Sequence, residues 1–213
     1  HLNYIAAPVA YTKVTSVFKV YQLTDFTSLI GVTIGMFGLK KPIISNGANA
    51  AFRRSFFHEV NGFRGNTTIA SGDDVFLLQK ATLLDANKVG FLKNNTAIVY
   101  TKPVSNLKHF FSQRIRWASK TSKTKSFNSA LLGVLVLTIN ASCIGLITLA
   151  LFNEIALNNT LMLIASKLCV DALLLFKTLA FLNQKQYLKY YWFAAVLYPF
   201  LTTYTAVVSL FGG

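Results

Sequence analysis

Hydrophobic positions along this chain fall into two regimes. From Ser129 onward charges nearly vanish over three long runs, Ser129–Phe152, Leu161–Leu182 and Tyr190–Phe211. Each is long enough, at roughly 20 apolar residues, to cross a hydrocarbon layer as a helix. Before residue 128 the apolar stretches are short and broken by polar residues, glycine and proline. Leu2–Val9 reads as a buried strand stopped near Pro8, and Val14–Ile30 as a helix. Gly31, Gly35 and Gly38 then mark a glycine-rich passage leading to Lys40-Lys41-Pro42. Ile43–Phe52 reads as a strand, a tight turn at Asn46-Gly47 and a second strand or helix start. A short helix from Arg53 to Val60 is closed by Asn61-Gly62 as a left-handed cap, with Phe63 packing back. A further helix starts at Ser71, Asp73 or Asp74 and continues through Leu84. Lys88–Leu92 and Thr96–Thr101 follow as strands, and Pro103 leads into a helix over Asn106–Lys120. The order of elements predicts an α/β domain over 1–127 and a membrane region of about three helices over 128–213.

Composition sharpens this division. Only 13% of the 213 residues are charged, with 53% hydrophobic and a mean hydropathy of +0.46; soluble domains carry roughly 25% charged residues. The net charge of +14 raises the question of nucleic acid. Much of the Lys/Arg, however, borders apolar runs or clusters over Gln113–Lys125, the pattern of a cytoplasmic membrane face, so nucleic acid is set aside as a partner. Lys120, Lys123 and Lys125 precede the first span, and Lys185 and Lys189 lie between the second and third, whereas Asn153–Thr160 has no Lys or Arg. A multi-pass protein of the plasma (inner) membrane follows, with its polar half in the cytoplasm. Cys143 and Cys169 both lie in apolar runs and read as small hydrophobes. The chain starts at His1 without a signal peptide, which leads us to expect a piece of a longer protein.

Three segments carry chemistry. Gly72-Asp73-Asp74 puts adjacent carboxylates at a helix amino terminus, where the backbone presents partial positive charge. Capping explains one acid; it does not require two in a chain with seven acidic residues. In Gln113-Arg114-Ile115-Arg116-Trp117, helical spacing places Gln113, Arg116 and Trp117 on one face, with Arg114 about a quarter turn away. An amide, guanidinium groups and an indole suit an anion attached to a hydroxylated ring. Taken alone, the same helix fits a basic amphipathic segment on a membrane surface, anchored by Trp117. In Asn46–Phe52, Gly47 lets a ligand approach the backbone and Asn49 both donates and accepts, although an ordinary hairpin turn has the same residues.

Taken in order, Asn46-Gly47-Ala48-Asn49-Ala50-Ala51-Phe52-Arg53-Arg54, Val60-Asn61-Gly62-Phe63, Gly72-Asp73-Asp74 and Gln113-x-x-Arg116-Trp117 resemble the carboxyl-terminal half of family 2 membrane glycosyltransferases, such as cellulose and hyaluronan synthases. The resemblance implies part of a GT-A catalytic domain followed by membrane helices. It implies inverting transfer of a hexosyl-type sugar from a nucleotide-diphosphate sugar to a glycan or lipid-linked acceptor, as in polysaccharide biosynthesis. By that likeness Asp74 is the base and Asp73 its supporting neighbour. Gln113, Arg114, Arg116 and Trp117 attend the donor diphosphate and acceptor, and the segment holding Gly47 and Asn49 lines the acceptor side. A divalent metal (Mg or Mn) is implied as well, but the Asp-x-Asp element that holds it in the family is absent from these 213 residues. This piece alone is therefore expected to be inactive.

Within the second span, Lys167 and Asp171 are one turn apart and can pair, which lowers the cost of burial. The same two residues could instead line a polar groove for a lipid phosphate or glycan. Pro199 predicts a kink in the third span. The rival from another class is a non-enzymatic scaffold or transporter fragment, for which the acidic and Gln-x-x-Arg-Trp segments would have no use.

Overall fold

In the computed structural model, residues 1–65, 72–123, 126–152 and 157–211 are described, with the side chains of 120–123 excepted. Ser71 and the connection at 153–156 lie outside them. Near the amino terminus two short strands, β1 (Tyr4–Ala6) and β2 (Val9–Tyr11), follow one another along one extended run. As predicted, the first strand stops short of Pro8, and β2 pairs in a separate sheet beyond this proline. It lacks an N–H and so interrupts the ladder, yet its carbonyl accepts from the Val99 N–H at 3.1 Å and the chain continues extended. β1 is central in a three-stranded sheet, antiparallel to β3 (Ala50–Phe52) and parallel to β4 (Val89–Phe91). Tyr4 stands opposite both Phe52 and Val89. β2 pairs in parallel with β5 (Val99–Thr101). Ile43–Ser45 forms no strand; the Asn46 side chain accepts from the Ala48 N–H at 3.0 Å and opens a 3-10 turn at Gly47–Asn49.

The first helix differs most from expectation. α1 runs over Val17–Gly38, from a Ser16 cap straight through the glycines that read as a break. Packing explains it. A Cβ at Gly31 would lie 2.6 Å from Thr178 Oγ1 and 2.9 Å from Leu174 Cδ1, so the missing side chain lets α1 approach α6 (Leu157–Phe181). Val9, Tyr11, Leu23, Phe26, Ile30, Leu179 and Leu182 share the resulting core. The predicted boundary near residue 128 is therefore crossed by tertiary packing.

α2 (Arg54–Glu59) ends as predicted, with Asn61 and Gly62 both at positive φ and Phe63 in edge contact with Phe57 at 5.1 Å. α3 (Asp73–Asp85) packs Leu77, Leu78 and Ala81 against Tyr4, Ala6, Phe56 and Val89. α4 (Leu107–Lys123) carries the basic-aromatic segment and lies along α7 (Tyr191–Phe211), with Phe111 in edge contact with Tyr204 at 5.1 Å. α5 (Phe127–Phe152), α6 and the helical stretch Lys185–Phe211 are long and apolar enough to cross a membrane. Pro199 sits inside α7 without ending it, and Lys167 pairs with Asp171 at 2.5 Å. Helices dominate, and the strands are three residues each, so the α/β description fits only the first half, and loosely.

The sheet half and the α6–α7 connection lie on the same side of the helices. Gln184, just past α6, donates to the Tyr11 carbonyl at 2.7 Å. Lys93, between β4 and β5, places its ammonium 5.6 Å from the Phe181 ring centroid.

Candidate active site

The acidic segment is placed by its own backbone. Gly72 holds the cap position of α3 at φ 112°, a left-handed conformation that a Cβ would strain. Neither acid provides the helix cap that was expected; Asp73 and Asp74 are instead the first two helical residues. Asp73 is exposed and Asp74 half-buried. The Asp74 carboxylate is fixed on both oxygens: Oδ2 accepts from the Gly47 N–H at 2.8 Å and Oδ1 from the Val75 N–H at 2.9 Å. A Cβ at Gly47 would lie 3.5 Å from the Asp74 side chain, so the turn and the acid are in van der Waals contact.

Beneath them lies Tyr4, which the sequence reading passed over as a strand residue. Its hydroxyl shares a 2.7 Å hydrogen bond with Ser45 Oγ and donates to the Asp74 carbonyl at 3.3 Å. Burial pushes this phenol up to about 12, the Ser45 hydrogen bond opposing the rise and Asp74 adding to it. A buried, neutral tyrosine thus joins β1, the loop before the turn and the first turn of α3.

Asn49 faces inward from the same turn. Its Nδ2 donates to the carbonyls of Pro8 and Ala97, each at 2.8 Å. Both amide hydrogens are committed, so the side chain ties the turn to the β1–β2 junction. From there the core leads to the second group: Trp117 packs on the cluster holding Val9, Ala10 and Tyr11, with its ring 6.1 Å from Phe26.

Around Trp117 the geometry centres on Arg114, which is buried at 7% exposure. Its Nε donates to Asp25 Oδ2 of α1 at 2.5 Å and its Nη1 to Gln113 Oε1 at 2.8 Å. Its guanidinium carbon lies 4.4 Å from the Trp117 ring centroid and 4.8 Å from that of Phe110. Burial alone would lower the Arg114 pKa; Asp25 and Tyr11 outweigh it and leave it above the usual value. Arg116 is exposed and Gln113 half-buried.

The structure therefore makes two groups from the predicted residues. Asp74 and Gly47 touch directly, as do Gln113, Arg114 and Trp117, and Asn49 joins the first group to the strand run on which Trp117 packs. Two cavities of about 440 Å³ lie elsewhere, one along Phe57–Arg64 and one beside β3, and neither is lined by Asp74 or Trp117. Among the described residues no three His, Cys, Asp or Glu side chains come together, so they do not form a metal centre.

The described residues thus hold a fixed carboxylate in the first turn of a helix with a glycine turn against it, and an indole-guanidinium helix followed by three helices long and apolar enough to cross a membrane. Residues 2–209 match the family model described as glycosyl transferase family group 2, and the chain belongs to that family. A search of curated proteins finds no match.

Proposed function

We propose that this chain carries the acceptor-side half of an inverting glycosyltransferase site, with Asp74 as the base. In such a transfer the acceptor oxygen attacks the anomeric carbon while a carboxylate takes its proton, and the nucleoside diphosphate departs. The observation that carries the reading is the double anchoring of Asp74 by the N–H groups of Gly47 and Val75. A base held on two sides loses little freedom when the acceptor arrives. Gly47 supports the reading further: with no side chain beside the acid, a bulky hydroxylated acceptor can approach.

Gln113, Arg116 and Trp117 are the groups we assign to the diphosphate and the sugar ring. Exposed Arg116 supplies the charge that stabilises a departing phosphate, and Trp117 offers an apolar face. Asp73 adds charge at the rim. The substrate classes in this reading are a nucleotide-diphosphate sugar and a glycan or lipid-linked acceptor. A divalent metal belongs to donor binding in the family's chemistry, but no step here is routed through one, because these residues do not form its site. The cytoplasmic membrane face is supported by Lys185 and Lys189 on the side of the helices that holds the sheet.

The test is sugar transfer by membranes carrying the full-length protein, supplied with a panel of radiolabelled nucleotide-diphosphate sugars. Label entering a lipid or polymer fraction with inverted anomeric configuration is the expected result. Retention of configuration, or no transfer from any donor by well-folded protein, refutes the proposal and favours a scaffold or transporter.

A further inference from the structure

The face that α1 turns toward α4 carries Gln22 and Asp25, three residues apart and so on one side of the helix. Both are buried, Gln22 at 0% and Asp25 at 9% exposure. Gln22 is paired twice with one backbone unit: its Nε2 donates to the Val104 carbonyl and its Oε1 accepts from the Val104 N–H, each at 3.0 Å. That fixes the chain just before α4 begins. Asp25 then holds Arg114 within the helix. Two polar anchors in an otherwise apolar seam specify a register more strictly than hydrophobic packing, because a slip leaves a buried charge unpaired.

We infer that Arg114 is a positioning residue, which with Asp25 and Gln22 of α1 sets the register and side-chain orientation of the Gln113–Trp117 segment. This rests on the glycosyl-transfer reading for its kinetic consequences but not for its geometry. Arginine can only donate, so the Gln113 atom facing it is the oxygen, and the amide hydrogens of Gln113 are left for another partner. The guanidinium also lies over the Trp117 indole at 4.4 Å and limits its tilt. The remaining nitrogen, Nη2, is sealed from solvent and has no partner among the described residues. A donor phosphate could reach the guanidinium only if α4 moved. The second residue of the segment therefore acts through its neighbours, whereas the exposed Arg116 is free to meet a ligand directly. Because α1 is also seated on α6 through Gly31, the membrane helices set the position of this segment through the same device.

The test uses full-length protein in detergent, with Trp192→Phe as background and the emission of the matching Trp117→Phe protein subtracted, so that the difference reports Trp117. Asp25→Asn, Arg114→Gln and the double variant are compared for kcat, donor KM and acrylamide quenching. A misplacement of about 1 Å can cost on the order of 100-fold in rate. Each single variant is expected to lower kcat by roughly 10- to 100-fold while donor KM stays within about threefold. The double variant should be no worse than the poorer single one, since one coupled unit is lost once. Trp117 quenching should rise in both. Wild-type kcat in Asp25→Asn, or a donor KM raised about tenfold in Arg114→Gln alone, overturns the inference. Should Arg114→Gln fail to give a monodisperse protein, Asp25→Asn decides by itself, since it keeps the carboxylate's shape. If the wild type transfers no sugar, the functional reading fails, while Trp117 quenching in Asp25→Asn still decides whether α1 orients the segment.

Discussion

Gly31 and Gly35 lie one turn apart on α1 and should respond oppositely to the same change. Replacing either with alanine removes the backbone freedom of glycine from the unfolded chain and raises helix propensity, a gain of about 0.5–1 kcal/mol. At Gly35 nothing lies within 4 Å of the new Cβ, so that gain should appear undiminished. At Gly31 the Cβ would meet Thr178 Oγ1 at 2.6 Å and Leu174 Cδ1 at 2.9 Å. Thr178 cannot swing aside freely, because it is buried and its hydroxyl donates to the Leu174 carbonyl at 2.7 Å. The helices must part by several tenths of an ångström, and overpacking of this kind costs about 1–3 kcal/mol. The net for Gly31→Ala is a loss of up to about 2.5 kcal/mol, against a gain of up to about 1 kcal/mol for Gly35→Ala. For a chain of this size 1 kcal/mol moves Tm by roughly 2–4 °C. Thermal melts in detergent, followed by size-exclusion chromatography, should place the two variants on opposite sides of wild type. If Gly31→Ala melts as high as Gly35→Ala, the α1–α6 seam described above is wrong.

Two further outcomes follow from positions around the acid. Gly72→Ala forces a Cβ onto a residue at φ 112°; it should cost about 1–2 kcal/mol and disturb Asp74, read as a lowered Tm with reduced transfer. Tyr4 has a folded pKa raised to about 12 from 10.0. A raised value means that the stability is fully present below pH 10 and is lost as pH rises toward 12, by about 3 kcal/mol in all. The Tm difference between wild type and Tyr4→Phe should be constant from pH 7 to 9 and shift against wild type above 10; a difference independent of pH would contradict the burial of the phenol.

Local signals survived the passage from sequence to structure best. The Asn61-Gly62 cap, the Lys167–Asp171 pair and the apolar helices each depend on neighbours within a turn or on a long run of one character, and all are found where the sequence puts them. Partners distant in sequence were not legible. Asp25 is, with Lys19, one of two charges in the first predicted helix, and nothing near it in sequence points to its partner Arg114, 89 residues away. Gly31 read as part of a break because its reason, close approach to Thr178 and Leu174, belongs to a helix near the far end of the chain. Asn49 read as a residue facing a ligand; the carbonyls of Pro8 and Ala97 that occupy its amide come together only in the folded chain. Tyr4 carried no signal, since an aromatic in a short strand is the commonest of core residues.

The role of Asp74 is tested most directly by comparing Asp74→Asn with Asp73→Asn in radiolabelled sugar transfer by membranes holding equal amounts of full-length protein. Asparagine keeps the size of the side chain and an oxygen for the Gly47 N–H but cannot take the acceptor's proton. Transfer by Asp74→Asn should fall by about 10²–10⁴, with Asp73→Asn much less affected. Equal transfer by Asp74→Asn and wild type would contradict the assignment of the base.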